Sequence, residues 1–268
     1  MKISNQIKSI TIGSFDGLHL AHQELISQAD MTIVIERNSG YLTPGYKRSE
    51  FTDKPVTIYH FDKIKSLSPE AFIGKLQEDF PSLEKIVVGY DFHFGHAKSG
   101  NAHSLKVLFT GETLIVEQIL LDNTPIHSRI IKKMLQEGDI ISVNKLLGRR
   151  YSIEGRVIRG QGLGAKSLVP TLNLKVDYYQ LPHDGVYVTK TKIHGMWIPS
   201  VSFIGHRSTT DGSFAVETHI LDKRIENMTG NISISFVEKL RDNKKFNDLS
   251  TLKQQIDEDI HKSKKALR

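Results

Sequence analysis

The 268 residues include no cysteine. This excludes a disulfide framework, thiolate-bound zinc and a cysteine nucleophile, and it fits a reducing compartment. No apolar run approaches the roughly 20 residues that a bilayer helix needs. The opening Met1-Lys2-Ile3-Ser4 starts no apolar leader core. The chain therefore reads as cytoplasmic, with no membrane partner. Internal repeats and low-complexity stretches are missing as well.

What remains is ordinary for a globular protein: 38% hydrophobic and 25% charged residues. The length suits two modest domains, each with its own core. The net charge is +6 and the pI about 9.3. Such a balance suits anionic partners, namely nucleotides, pyrophosphate, nucleic acid or acidic lipid, or it is a solvated basic surface. The lysines are scattered, with no basic stripe interleaved with aromatics. A nucleic-acid-binding protein is therefore a remote alternative, and no nucleic-acid partner is expected.

The first half alternates strand and helix patterns. Strands are expected over 7–12, 31–36, 86–89 and 114–119. Helices are expected over 18–29, from Ser68-Pro69-Glu70 through Leu76, over 128–135, and over 140–147 with Asp139 as N-cap and Gly148 just past the end. Strands separated by helices imply a parallel α/β sheet. After Gly148-Arg149-Arg150 the pattern changes to short β segments punctuated by glycine. They are YSIEGRVIR, VPTLNLKV, GVYVTKTKI, MWIPSVSFI, FAVETHILD and NISISFVEKL. This spacing predicts a small antiparallel barrel. A closing helix carries Leu249, Leu252, Ile256 and Ile260 on one face. The domains are expected to span 1–149 and 150–268.

Gly13-Ser14-Phe15-Asp16-Gly17-Leu18-His19-Leu20-Ala21-His22 lies between the first strand and the first helix. Glycines permit a sharp turn, and a helix N-terminus favours phosphate. His19 and His22 share a face and can donate to phosphate oxygens. From the residues alone, a strand–helix turn with two surface histidines stays open. The segment resembles the G-x-F-D-G-x-H-x-G-H signature of bacterial riboflavin kinase/FAD synthetases, with Ala21 where that family has glycine. The resemblance implies an α/β nucleotidyltransferase domain of Rossmann-like, parallel-sheet type. It implies Gly13, Phe15, Asp16 and Gly17 in nucleotide binding, and His19 and His22 in adenylyl transfer.

Two more stretches extend the likeness. Val88-Gly89-Tyr90-Asp91-Phe92-His93-Phe94-Gly95 with Ser99-Gly100-Asn101 is similar to the family's V-G-x-D-F-x-F-G…S-G-N. This implies a flavin-side role for Asp91, Phe92, Phe94 and Asn101, although the two phenylalanines alone read as core. Ser128-Arg129-Ile130-Ile131-Lys132 stands in place of the S-S-T-x-x-R that grips pyrophosphate. Ser128 matches; Arg129 replaces threonine and Lys132 replaces arginine, losing the bidentate fork. Glu36-Arg37-Asn38 replaces the family's F-x-P-H-P.

In the second half, Gly160-Gln161-Gly162-Leu163-Gly164-Ala165-Lys166 can wrap phosphates with backbone N–H groups. It lacks the Gly-Lys-Ser/Thr of a Walker loop. Thr171 and Asn173 are two apart and share a strand face, offering hard oxygens suited to Mg²⁺. Pro170-Thr171-Leu172-Asn173 resembles the P-T-A-N of riboflavin kinases, in which Thr and Asn bind Mg-ATP. Glu217, in Val216-Glu217-Thr218-His219-Ile220-Leu221-Asp222, matches the family's catalytic glutamate. Leu240-Arg241 through Phe246 matches L-R-x-x-x-x-F, implying that Arg241 orders the flavin side.

The resemblance implies two reactions: riboflavin plus ATP giving FMN in the barrel, and FMN plus ATP giving FAD and pyrophosphate in the α/β domain. Mg²⁺ accompanies ATP in this scheme. Ala21, Arg129 and Lys132 motivate an alternative, a riboflavin kinase with a degraded adenylyltransferase domain.

Overall fold

The computed structural model describes residues 6–37, 41–160, 169–209, 211–223, 225 and 228–268. The chain divides into two compact units, residues 1–128 and 129–268.

The N-terminal unit runs β1 (Ser9–Gly13), α1 (Leu20–Ser27), β2 (Met31–Glu36), β3 (Val56–His60), α2 (Phe61–Ile64), α3 (Pro69–Asp79) and β4 (Lys85–Gly89). A short ribbon of β5 (His93–Phe94) and β6 (Gly100–Asn101) follows, then α4 (Ala102–Leu108) and β7 (Glu112–Val116). A second ribbon of β8 (Leu120–Leu121) and β9 (Thr124–Pro125) ends the unit. The five-stranded sheet has the order β3-β2-β1-β4-β7, and every pairing in it is parallel. Alternate residues feed two cores. Ile10, Ile12, Ile33, Ile86 and Val88 point to one face, with Phe72, Leu76 and Leu105. Val34 and Val87 point to the other, with Phe15, Leu18, Leu25 and Ile26. Both faces are thus covered, which is why these strands read as continuous β-branched runs. The strand order reverses between β1 and β4, and the crevice at their carboxyl ends is where open α/β sheets bind ligands.

The sequence expects the first helix from Leu18, but it starts at Leu20. Leu18 has φ +38°, in the left-handed region that a helix excludes, and His19 is the N-cap. Strand β3 and helix α4 had no sequence expectation. Each is short, and α4 is specified by its cap rather than by periodicity.

The C-terminal unit takes α5 (Ser128–Glu137) beyond its first residue. Next come α6 (Ile140–Leu147), β10 (Ser152–Ile158), β11 (Leu172–Lys175), β12 (Gly185–Ile193), β13 (Met196–His206), β14 (Phe214–Ile220), β15 (Asn231–Asp242) and α7 (Leu249–Ala266). The strands close a barrel in the order β10-β11-β14-β13-β12-β15, all antiparallel. Its interior holds a chain of hydroxyls. Thr189 meets Ser200 and Ser202 at 2.8 Å each, and Thr191 meets Ser200 at 2.8 Å and Thr218 at 2.9 Å. Thr191 on β12 reaches Thr218 on β14 past the intervening β13, a contact possible only inside the barrel. Val186, Val201 and Leu221 lie on another face, packed by Ile260 of α7 and by Leu267 just past its end.

The packed face of α7 differs from the sequence expectation at one position. Leu249, at the first position of the helix, is exposed, whereas Asp259 and Ser263 are its buried residues. The reason is an ion pair, since Asp259 faces Arg241 of β15.

Candidate functional sites in the two units

In the α/β unit the site is built on the turn between β1 and α1. Phe15 and Leu18 hold positive φ, +46° and +38°, and both side chains are buried in the core beside α1. Burial of the two side chains offsets the backbone strain. Gly17, at φ +92°, needs no such compensation. Asp16 is buried, and its Oδ1 accepts from the N–H groups of Leu42 (2.8 Å) and Thr43 (3.1 Å). Ser128 Oγ donates to the Asp16 carbonyl at 2.7 Å. Asp16 and Ser128 thus fasten the turn to segment 41–43 and to the last residue of this unit.

His19 Nδ1 accepts from His22 N–H at 3.3 Å. That bond puts the His19 proton on Nε2, where it can be donated. The His22 ring stacks on His19 with centroids 3.5 Å apart, and Phe15 meets it edge-on at 5.1 Å. Burial, then the charges of His19, Arg48 and His127, hold His22 well below the usual histidine range. Its Nδ1 is buried and has no hydrogen-bond partner among the described residues. His22 is therefore a neutral imidazole beside the helix start at neutral pH.

Arg48 was missed from the sequence. Its side chain is 1% exposed, and Nη1 donates to Glu36 Oε2 at 2.7 Å. Tyr41 Oη donates to the other Glu36 oxygen. The guanidinium carbon lies 4.9 Å over the Tyr41 ring. Only the departure Glu36-Arg37-Asn38 signalled anything unusual here; the arginine comes 12 residues after the glutamate, with no pattern joining them.

Phe92 and Phe94 stack at 5.6 Å within the larger core, and Phe94 contacts Phe72. Asp91 is exposed, 4.0 Å from His127. His127 Nε2 lies 3.0 Å from Tyr90 Oη. Asn101 caps α4, its Oδ1 accepting from His103 and Ser104 N–H. Lys132, half-buried on α5, falls in the C-terminal unit. Gly13 ends β1 beneath the Phe15 ring.

The barrel unit contains a cavity of about 440 Å³ lined by Thr171, Asn173, Arg207, Glu217, Arg241 and Phe246 among others. Asn173 of β11 and Glu217 of β14 are directly opposite in register, so both side chains leave the same face. Thr171 Oγ1 donates to Glu217 Oε2 at 3.3 Å. Gly160 closes in from above: a Cβ there would lie 2.3 Å from Asn173 Nδ2. Gly162 and Lys166 lie outside the described residues.

Arg207, which no sequence pattern flagged, joins the group. Nε donates to Glu217 Oε1 at 2.7 Å, Nη2 to Asn173 Oδ1 at 2.6 Å and Nη1 to Ser213 Oγ at 2.7 Å. Arg241 is held by buried Asp259: Nη2 donates to Oδ2 at 2.7 Å, and Nε is about equidistant from both oxygens. Its guanidinium sits 5.8 Å from the Phe246 ring.

A family model described as riboflavin kinase matches residues 147–267, and one described as FAD synthetase matches residues 49–130. A bifunctional riboflavin kinase/FMN adenylyltransferase of Buchnera aphidicola from Acyrthosiphon pisum is 30% identical, over 97% of this chain and 93% of its own. That of Pseudomonas fluorescens is 28% identical, over 93% and 90%. Among solved structures, one titled a macrolide-efflux protein from Streptococcus pneumoniae superposes with a TM-score of 0.86. It is 24% identical and covers 98% of this chain and 97% of its own; that likeness is one of fold. Two domain models in order, an α/β sheet followed by a closed barrel, and 30% identity over nearly the full length of a bifunctional enzyme make this chain a member of the bifunctional riboflavin kinase/FMN adenylyltransferase family.

Proposed function

We propose that the protein makes FMN from riboflavin and ATP in its barrel unit, and FAD and pyrophosphate from FMN and ATP in its α/β unit. The observation that carries this reading is the convergence of Thr171, Asn173 and Glu217 on one cavity wall. The boundary between the activities is proposed at residues 149–150, close to where the riboflavin kinase match begins.

In the barrel, Glu217 accepts the proton of the riboflavin 5′-hydroxyl as its oxygen attacks the γ-phosphorus of ATP. Thr171 Oγ1 and Asn173 Oδ1 are the hard oxygens that would hold Mg²⁺, which neutralises phosphate charge when bound. Among the described residues no group of three His, Cys, Asp or Glu side chains could hold a metal ion. An ion here would therefore draw most of its ligands from nucleotide and water, as Mg²⁺ does in phosphoryl-transfer sites. Gly160, Gly162 and Lys166 are assigned to the ATP phosphates, and Arg241 to the flavin side.

In the α/β unit the FMN phosphate oxygen attacks the α-phosphorus of ATP, and pyrophosphate leaves. His19 and His22 donate to the phosphates at the start of α1, while Gly13, Phe15, Asp16 and Gly17 shape the turn. Ser128 and Lys132 are assigned to pyrophosphate. Asp91, Phe92, Phe94 and Asn101 form the flavin side, with the two phenylalanines acting as a buried base beneath it. No helix among the described residues is long and apolar enough to cross a membrane, in keeping with the cytoplasmic location we propose.

Purified protein with riboflavin, ATP and Mg²⁺ is followed chromatographically. FMN then FAD is expected, with Glu217→Gln blocking the first and His19→Ala/His22→Ala only the second. Absence of both flavins refutes the reading. FMN without FAD favours the kinase-only alternative, for which Ala21→Gly with Lys132→Arg would then restore FAD.

A further inference from the structure

We propose that Arg207 is a catalytic residue of the barrel site that contacts the transferring phosphoryl group. The proposal rests on the kinase reading above. Arg207 bonds simultaneously to the two groups between which the reaction must occur. Its Nε is 2.7 Å from Glu217, the acceptor of the hydroxyl proton, and its Nη2 is 2.6 Å from Asn173, at the phosphate end. Asn173 and Glu217 are register partners on neighbouring strands, so the gap between nucleophile and nucleotide is short. The guanidinium lies in that gap.

The residue is braced for such a role. Ser213 Oγ accepts from Nη1 at 2.7 Å and donates to Asp211 Oδ1 at 2.8 Å. The side chain is 18% exposed, so it faces the cavity without being lost to solvent. Phosphoryl transfer spreads negative charge over three equatorial oxygens, and a planar, permanently charged fork of donors fits that geometry. When Asn173 Oδ1 turns to a metal-bound nucleotide, Nη2 loses that acceptor and takes a phosphoryl oxygen instead. The balance is simple. The riboflavin 5′-oxygen bonds to the γ-phosphorus, the bond to the β,γ-bridging oxygen breaks, ADP leaves and the hydroxyl proton passes to Glu217. Arg207 exchanges no proton; its fixed fork of donors is aimed at the planar arrangement of equatorial oxygens that exists only in the transition state.

Full-length wild type, Arg207→Met and Arg207→Lys are compared by FMN formation and by calorimetric binding of ADP with Mg²⁺. Binding is measured with riboflavin present, with and without aluminium fluoride as a planar mimic of the phosphoryl group. For Arg207→Met, kcat is expected to fall on the order of 100-fold, with the ATP KM and the ADP affinity within about threefold of wild type. The tightening by aluminium fluoride should vanish, and lysine should restore part of it. Arg207→Gln keeps hydrogen bonding without charge, and it serves if the methionine variant does not fold, with the same loss expected. A variant kcat within tenfold of wild type overturns the role, as does loss of ADP affinity in proportion to kcat. Wild type that forms no FMN overturns the kinase reading and this inference with it.

Discussion

Removing Asp259 tests how α7 is fixed to the barrel and how Arg241 is aimed. Asp259 is 3% exposed and accepts from Nε and Nη2 of Arg241 and from Gln255 Nε2. In Asp259→Leu the guanidinium loses its acidic partner. Breaking a buried pair on one side costs about 3–5 kcal/mol. Arg241 lines the cavity and keeps 19% side-chain exposure, so water reaches part of the stranded charge, and the lower end, about 3 kcal/mol, applies. For a unit of this size that corresponds to a fall in Tm of roughly 6–12 °C. Urea denaturation followed by barrel fluorescence, with Trp197 as reporter, gives the free energy. Arg241→Met/Asp259→Leu removes both charges and should recover at least half of the loss, because no orphaned cation remains. In the single variant, the KM for riboflavin should rise as Arg241 loses its fixed direction. A loss below about 1 kcal/mol, or a double variant as costly as the two singles added, refutes the reasoning.

Three further outcomes follow. Gly160→Ala places a methyl 2.3 Å from the Asn173 amide. The ATP KM for FMN formation should rise more than tenfold, while FAD formation from supplied FMN is unchanged; wild-type kinetics in the variant would remove the need for glycine. His22 is held well below 6.5 by burial first and neighbouring cationic groups next, so it is neutral at pH 7, and the anionic charge of bound ATP raises its pKa. Calorimetry at pH 6.5 in two buffers of different ionisation enthalpy should show proton uptake on nucleotide binding to the α/β unit, absent in His22→Ala. In the free protein the unfolded chain takes the proton more readily than the folded one, so stability should fall as pH drops below 6.5, and less so in that variant.

Much of the fold was legible because its signals are local. MTIVIE is buried on both faces and reads as a strand over its full length, and Asp139 and Gly148 bracket α6 at the expected positions. Segment 185–193 matches β12 at both ends, since its alternation separates interior hydroxyls from outward valines. The start of α1 was misplaced because a left-handed leucine has no composition signature. Strand β3 was not anticipated because its five residues follow a stretch without clear periodicity. The site residues that carry a motif, His19, His22, Thr171, Asn173 and Glu217, could be named in advance. Arg48, Arg207 and Asp259 could not. Each acts through a partner reached only after folding, 12, 34 and 18 residues away respectively, and a lone charged residue in a loop or helix looks like surface.

The hydroxyl chain inside the barrel bears on how faithfully the strands assemble. Thr189, Thr191, Ser200, Ser202 and Thr218 are at most 1% exposed and satisfy one another. If β13 slipped by one residue, Val201 and Phe203 would turn inward and the serines outward, stranding Thr189 and leaving Thr191 and Thr218 with only each other. The stranded hydroxyl costs about 1–3 kcal/mol, a sizeable fraction of the roughly 5–15 kcal/mol that holds a domain folded. An oily interior would tolerate that slip; this one rejects it, so Asn173 and Glu217 meet only when every strand is in its proper place.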